Sequence, residues 1–208
     1  MSRAAAVLGE LDEHTVDPDP IRQFQLWFDA ARNAHLPHAE AMTLATATRA
    51  GIPSARVVLL KQVDARGFVF YTNYTSRKGR ELTENPVGAL VFFWPDLNRQ
   101  VRVEGSIALL PAEESDAYFR ARPRDGQLSS LTSEQSRVVR DRAELDGRFE
   151  ELRREYEGKP ITRPSFWGGF RLAPAKIEFW QHRFARLNDR VQYELQKDGI
   201  WSIHRLSP

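Results

Sequence analysis

A chain of 208 residues and 23.9 kDa, 41% hydrophobic and 28% charged, can build one large domain with its own core, and no apolar run approaches the ~20 residues of a membrane-spanning helix. Thirty Lys+Arg against 28 Asp+Glu leave a net charge of +2, too small a surplus to make nucleic acid or an anionic membrane the main partner. The absence of cysteine removes disulfides, thiolate nucleophiles and Cys-based metal sites together. The basic side is uneven, with 25 Arg against 5 Lys. Arginine grips phosphate or carboxylate through a planar fork, so a small anionic ligand is expected.

Residues 1–18 mix small, acidic and polar types without a period, predicting a flexible N-terminal arm, and their acids occupy the place of a signal peptide's apolar segment, pointing to a cytoplasmic protein. Asp19-Pro20 has the form of an N-cap followed by Pro at the first helical position. It opens a helix with Ile21, Phe24, Trp27, Phe28 and Ala31 at helical spacing. From about Ala41 the texture becomes short strands: MTLATAT, SARVVLLK, GFVFYTN, VGALVFFW and RQVRVEGSIALL, separated by turn signals and one short helix, SRKGRELTEN. With little room for crossover helices the strands must be antiparallel, most economically closed into a barrel. PAEESDAYFRAR predicts a helix ending at Pro123, and 134–157 a long, salt-bridged one with Val138, Leu145, Phe149, Leu152 and Tyr156 as a partial stripe. WGGFRL and KIEFWQ follow as two strands, then a hairpin across Lys197-Asp198-Gly199. The fold expected is mainly β with peripheral helices, a single domain over 19–208.

Thr75-Ser76-Arg77-Lys78-Gly79-Arg80 sets two cations and free backbone N–H groups around a helix start, where they oppose the helix macrodipole unless an anion sits between them. Arg56 and Lys61 bracket an apolar strand run. Five apart, they face opposite sides of an ideal strand, so a shared ligand requires a strand end or a bulge. Gln100 and Arg102 share a strand face, and Gln135-Ser136 offers an amide and a hydroxyl at a helix start. His35/His38 reads as a surface pair rather than a metal site, and no metal is expected.

The tracts ARVVLLK, FVFYTNYTSRKGREL, RQVRVEG, SDAYFRARPRD, SEQS, FWGGFR, IEFWQ and RLNDR, in this order and spacing, resemble the pyridoxine/pyridoxamine 5′-phosphate oxidase family from Asp19 to Pro208. The resemblance implies an antiparallel split β-barrel homodimer with FMN at the subunit interface. Carried over by motif, the cofactor contacts fall on Arg56, Val57, Val58, Leu59, Leu60, Lys61, Tyr71, Thr72, Arg77, Lys78, Gln100, Gln135, Ser136, Trp180 and Arg190. The substrate's phosphate falls on Lys61, Tyr118 and Arg122, and Arg186 lies over the substrate ring.

Four departures accompany these matches. The family's Arg-x-His reads Arg186-Leu187-Asn188, losing an imidazole at a substrate and catalytic position. Gly126 stands where many members have a substrate-phosphate serine, Ser129-Ser130-Leu131 replaces a Gly-Ala-Trp tract, and the basic N-terminal arm has no match. The resemblance therefore implies an FMN-dependent oxidase acting with O2, by default on pyridoxine or pyridoxamine 5′-phosphate. The alternative is the same chemistry retargeted to a secondary metabolite, as in phenazine-biosynthesis relatives. A non-catalytic flavin- or haem-binding split barrel is a third reading, against which the retained Tyr118, Arg122 and Arg186 argue.

Overall fold

The computed structural model describes residues 10–208. Residues 1–9 of the expected arm lie outside them, and the remainder of that arm is docked rather than loose. Leu11 is buried and donates its N–H to Gln181 Oε1 at 2.9 Å, and the Tyr193 hydroxyl donates to the Asp17 carbonyl at 2.7 Å. Glu13 pairs with Arg205 at 2.6 Å. These partners lie 170 to 192 residues away in sequence, so local composition could not show them.

Helix α1 (Pro20–Asn33) begins as its sequence requires, with the Asp19 carboxylate accepting from the Ile21 N–H at 2.8 Å. Its buried face places Phe24 against Phe68 and Phe92, with ring centroids 4.8 and 4.9 Å away. Burying each such side chain contributes roughly 1.5–3 kcal/mol, which fixes the helix across the mouth of the barrel core.

Among the described residues nine strands form one antiparallel sheet: β1 (Ala41–Ala47), β2 (Pro53–Leu59), β3 (Gln62–Asp64), β4 (Gly67–Asn73), β5 (Val87–Trp94), β6 (Arg99–Leu109), β7 (Trp167–Gln181), β8 (Asp189–Leu195) and β9 (Trp201–Arg205). The order is β2-β1-β5-β6-β7-β4-β3, with β8 on β7 and β9 on β8. Alternation sends Met42, Leu44, Leu90, Phe92, Val101, Val103, Ile177 and Phe179 inward. The ring closes through the chain itself. The Leu60 N–H bonds the Glu40 carbonyl beside β1, and one residue on the Lys61 N–H bonds the Val69 carbonyl of β4, both at 2.9 Å, so β2 passes into β3 across the gap. Beyond that crossover β2 and the Tyr71–Asn73 end of β4 diverge, each with one edge lacking a strand partner among the described residues. The barrel is split there.

Three sequence expectations are corrected. The tracts WGGFRL and KIEFWQ form one 15-residue strand, β7. It bends where its register against β6 shifts at Glu104/Gly105, and a Cβ on Gly105 would stand 2.0 Å from the Ala173 carbonyl oxygen. The helix expected over 134–157 is α5 (Arg142–Glu155), because Val138 is fully exposed and contributes nothing to a stripe, while Asp141 caps the helix that does form. Gln135-Ser136 accordingly lie in a turn, with Ser136 in the left-handed region (φ 75°). An unexpected helix, α4 (Arg124–Thr132), follows α3 (Ala112–Ala121). Together α3, α4 and α5 pack around Phe119, Leu128, Ile161 and Trp167 and wall one side of the split.

Candidate functional site

A cavity of about 730 Å³ occupies the split, within the 300–1,000 Å³ range of small-molecule and cofactor sites. It is lined by β2 and the Lys61 crossover, the end of β4, the start of helix α2 (Arg77–Glu84), and α3 and α4. The crossover answers the strand-period problem. Leu60 turns into the core, and Arg56 and Lys61 both reach the cavity because β2 ends between them. β2 is an edge strand, so its cations do not sit in the middle of a sheet as the apolar run suggested.

Two cationic groups meet in the cavity. In the first, Ser76 caps α2 by accepting from the Gly79 N–H, and Lys78 of the first turn is buried. The Lys78 ammonium donates to Gln135 Oε1 at 2.8 Å and to the Thr72 hydroxyl at 3.1 Å, with no carboxylate paired to it among the described residues. Burial, reinforced by the nearby Arg56, pulls its pKa down to about 8. An uncompensated buried ammonium asks for an anion. The Ser136 Oγ accepts from the Arg77 N–H at 3.2 Å, so the strained turn at 133–136 is latched to the helix start.

Arg56 and Arg77 share a partner that the sequence did not single out, Glu81, whose side chain is 5% exposed. Its carboxylate takes Arg77 Nε at 2.9 Å, Arg56 Nη2 at 3.3 Å, and the hydroxyls of Thr46 and Ser54. Burial would raise this carboxyl, but the four donors outweigh it and hold the pKa at about 2. Glu81 thus joins α2, β1 and β2 and sets the direction of Arg56.

The second cationic group stands on stacked aromatic rings. Tyr71 stacks on Tyr118 with centroids 3.8 Å apart and on Trp167 at 5.5 Å, and the Arg122 guanidinium lies over Trp167 at 4.6 Å. Burial raises the Tyr118 phenol, keeping its proton available to donate, and lowers Arg122 from its ordinary value. Trp167 lies inside a quoted tract but had not been picked out. Lys61 and Gly126 line the same cavity.

The remaining expected residues are elsewhere. Gln100, Trp180 and Arg190 stand side by side across β6, β7 and β8 on the sheet's outer face, away from the cavity, with Arg190 bidentate on Glu178 at 2.8 and 3.1 Å. Arg186 is on the exposed β7–β8 loop, where it and Ala185 take left-handed backbone (φ 63° and 57°), flanked by Phe184 at 94% and Leu187 at 70% exposure. Asn188 Oδ1 accepts the Arg183 N–H at 3.0 Å, bracing that loop. His35 and His38 fall in the turn after α1, both at positive φ. No helix among the described residues is long and apolar enough to cross a membrane.

Residues 28–156 match the family model described as pyridoxamine 5′-phosphate oxidase, and residues 167–208 that of the pyridoxine 5′-phosphate oxidase C-terminal dimerisation region. A pyridoxine/pyridoxamine 5′-phosphate oxidase of Trichormus variabilis is 52% identical over 201 residues, 97% of this chain and 94% of that protein. The enzyme of the same name from Rubrobacter xylanophilus is 54% identical over 198 residues, 95% of this chain and 91% of its own length. Among solved structures, PhzG from Burkholderia lata, in complex with tetrahydrophenazine-1-carboxylic acid, superposes with a TM-score of 0.91 at 31% identity, covering 98% of this chain and all of that one. With the split barrel, both family regions and full-length identity above one half in agreement, the chain belongs to the pyridoxine/pyridoxamine 5′-phosphate oxidase family of FMN-dependent oxidoreductases.

Proposed function

We propose that this protein is an FMN-dependent oxidase that converts pyridoxine or pyridoxamine 5′-phosphate to pyridoxal 5′-phosphate, with O2 as acceptor and hydrogen peroxide as co-product; the amine substrate also takes up water and releases ammonia. The observation that carries the reading is the pairing, in one cavity, of two cationic groups without carboxylate partners: Lys78 with the α2 N-terminus, and Arg122 with Lys61. A flavin phosphate fits the first and a substrate phosphate the second. FMN fits the donor set: a buried ammonium at the start of α2, the Gln135 amide, and the unpaired backbone edge of β2 from Arg56 to Leu59 for a planar ring. Bound there, FMN would supply the two-electron redox chemistry, taking up the electrons of the substrate's alcohol or amine carbon for delivery to O2.

The protein's share is placement. Lys61, Tyr118 and Arg122 hold the substrate phosphate, which fixes the reacting carbon with respect to the flavin. Arg186 is to cover the substrate ring, yet it projects from a loop outside the cavity of its own chain, as do Gln100, Trp180 and Arg190 on their strands. A homodimer resolves this. The outer sheet face runs from the cavity wall through Val57, Thr43, Val91 and Arg102, and beside it Phe93, Gln100, Trp180 and Arg190 lie in register. Val57 and Phe93 are 66% and 59% exposed. Two copies apposed on this face about a two-fold axis exchange rows, so each cavity receives the partner's Gln100, Trp180, Arg190 and Arg186. The match to the family's dimerisation region over 167–208 supports this arrangement.

Asn188 has no titratable group, and its oxygen is occupied by the Arg183 N–H; its role is to shape the loop that carries Arg186. Oxygen consumption by FMN-loaded protein with pyridoxine 5′-phosphate and pyridoxamine 5′-phosphate is the test. Turnover of either supports the reading, and none with both defeats it. The second reading, oxidation of a reduced phenazine-like heterocycle, is favoured by the fold match to PhzG and by Leu131 beside the aromatic cluster, and the same assay with a dihydro-heterocycle substrate decides between them.

A further inference from the structure

Arg122 is held on two sides and open on a third. Its face lies over Trp167 at 4.6 Å, and its Nη1 donates to the Ser130 hydroxyl, which in turn donates to the Gly126 carbonyl at 3.0 Å. Nε and Nη2 have no hydrogen-bond partner among the described residues, and these two nitrogens form one edge of the guanidinium fork. That edge lies over Gly126: a Cβ built there would stand 3.3 Å from Nη2 and 3.6 Å from Nε. Ser130 is buried and one helical turn beyond Gly126 on α4, so both residues act on the guanidinium from the same face of the helix.

We propose that Ser130 is a positioning residue for the substrate's anionic end: it fixes the rotation of Arg122 so that the Nε–Nη2 edge is offered to two oxygens of a phosphate, while Gly126 keeps the space for that group clear. This rests on the B6-phosphate reading above and gives the lost hydroxyl at 126 a different sense. The chain exchanges a hydroxyl that would touch the phosphate for one that steers the arginine. A side chain restored at 126 would crowd a guanidinium that Trp167 and Ser130 prevent from moving aside.

The test uses FMN-loaded Ser130→Ala, Ser130→Thr and Gly126→Ala, with inorganic phosphate binding read from the flavin absorbance and KM and kcat read with pyridoxine 5′-phosphate. Ser130→Ala is expected to raise the phosphate Kd and the substrate KM about tenfold, with kcat and FMN affinity near the parent's, and Ser130→Thr to restore most of the loss. Gly126→Ala should weaken phosphate binding while Tm stays close to the parent's, alanine's helix preference offsetting the crowding of the fork. Affinity lost at near-parent stability separates crowding of the fork from general damage. Phosphate Kd within twofold of the parent in both Ser130→Ala and Gly126→Ala, or no phosphate binding by the parent, overturns the proposal. Parent holoenzyme that binds phosphate but oxidises neither B6 phosphate overturns the substrate reading alone, and the phosphate comparison still decides the role of Ser130.

Discussion

The cavity wall and the outer sheet face share only β2 and β7 and have opposite economies. On the cavity side three cations are tied down: Lys78 by Thr72 and Gln135, Arg56 by Glu81, and Arg122 by Trp167 and Ser130. On the outer face Phe93 and Val57 stand open, and the β7–β8 loop presents Phe184 and Leu187 to solvent beside two residues of left-handed backbone. A fully prepared half-site next to an unprepared apolar one is what a binding site shared between two copies requires.

The comparison breaks most completely at the hub of the prepared side. Glu81→Ala removes the carboxylate that compensates Arg56 and Arg77, and should cost about 3–5 kcal/mol in denaturant unfolding. The parent should keep this contribution above about pH 4.5 and lose it as pH falls toward 2, because the folded carboxyl titrates below the unfolded one. An unfolding free energy within 1 kcal/mol of the parent's would remove Glu81 as the hub.

Phe93→Glu addresses the unprepared side. A charge in the centre of the outer face should give a monomer by light scattering, with FMN retained poorly although no cavity residue is altered. A dimeric, fully yellow variant would place the subunit contact elsewhere.

Lys78 sharpens the contrast through pH. Its folded pKa of about 8 lies below the ordinary 10.5 because burial and Arg56 oppose the charge. Without FMN, the unfolded chain binds the extra proton between about pH 8 and 10.5, so stability should rise with pH across that interval. FMN affinity should fall over the same range as the ammonium is lost. Lys78→Met should bind FMN roughly ten- to a hundredfold more weakly and show neither trend, as followed by quenching of flavin fluorescence.

The smallest effect expected is at the loop. Asn188→Ala deletes one hydrogen bond to the Arg183 N–H, worth about 0.5–1.5 kcal/mol, and should lower kcat/KM some two- to tenfold while leaving FMN binding unchanged. A loss of many hundredfold would instead give Asn188 direct contact with the reaction.

Much of this was legible in the chain. The strand texture and the caps at Asp19 and Ser76 follow from local rules that tertiary structure did not override. Helix α4 escaped notice because Gly126 and its serines are weak helix formers, and it persists through packing of Leu128 against Phe119 and Trp167. The segment 134–141 misled because Val138 falls at helical spacing with Leu145 yet is fully exposed, with nothing to pack on. Glu81 looked like one more charge in SRKGRELTEN, since only the fold brings Thr46, Ser54 and Arg56 to it. Gln100, Trp180, Arg190 and Arg186 lie outside the cavity of their own chain, which no local pattern shows.

The crossover at Leu60–Lys61 also bears on when the site comes into being during folding. The cavity's two walls are joined by one backbone bond from Lys61 to Val69, and β4 is held in place by β7, about a hundred residues further along the chain. Nascent β1–β2 hairpins therefore contain Arg56 and Lys61 but no pocket, and the ring must wait for the slow, long-range docking of β7. A cofactor that recognises only the closed ring should act after the rate-limiting barrier. Added FMN should then slow unfolding in proportion to its binding free energy and leave the refolding limb of the chevron where it was, whereas faster refolding with FMN would mean that the walls meet before the ring is sealed.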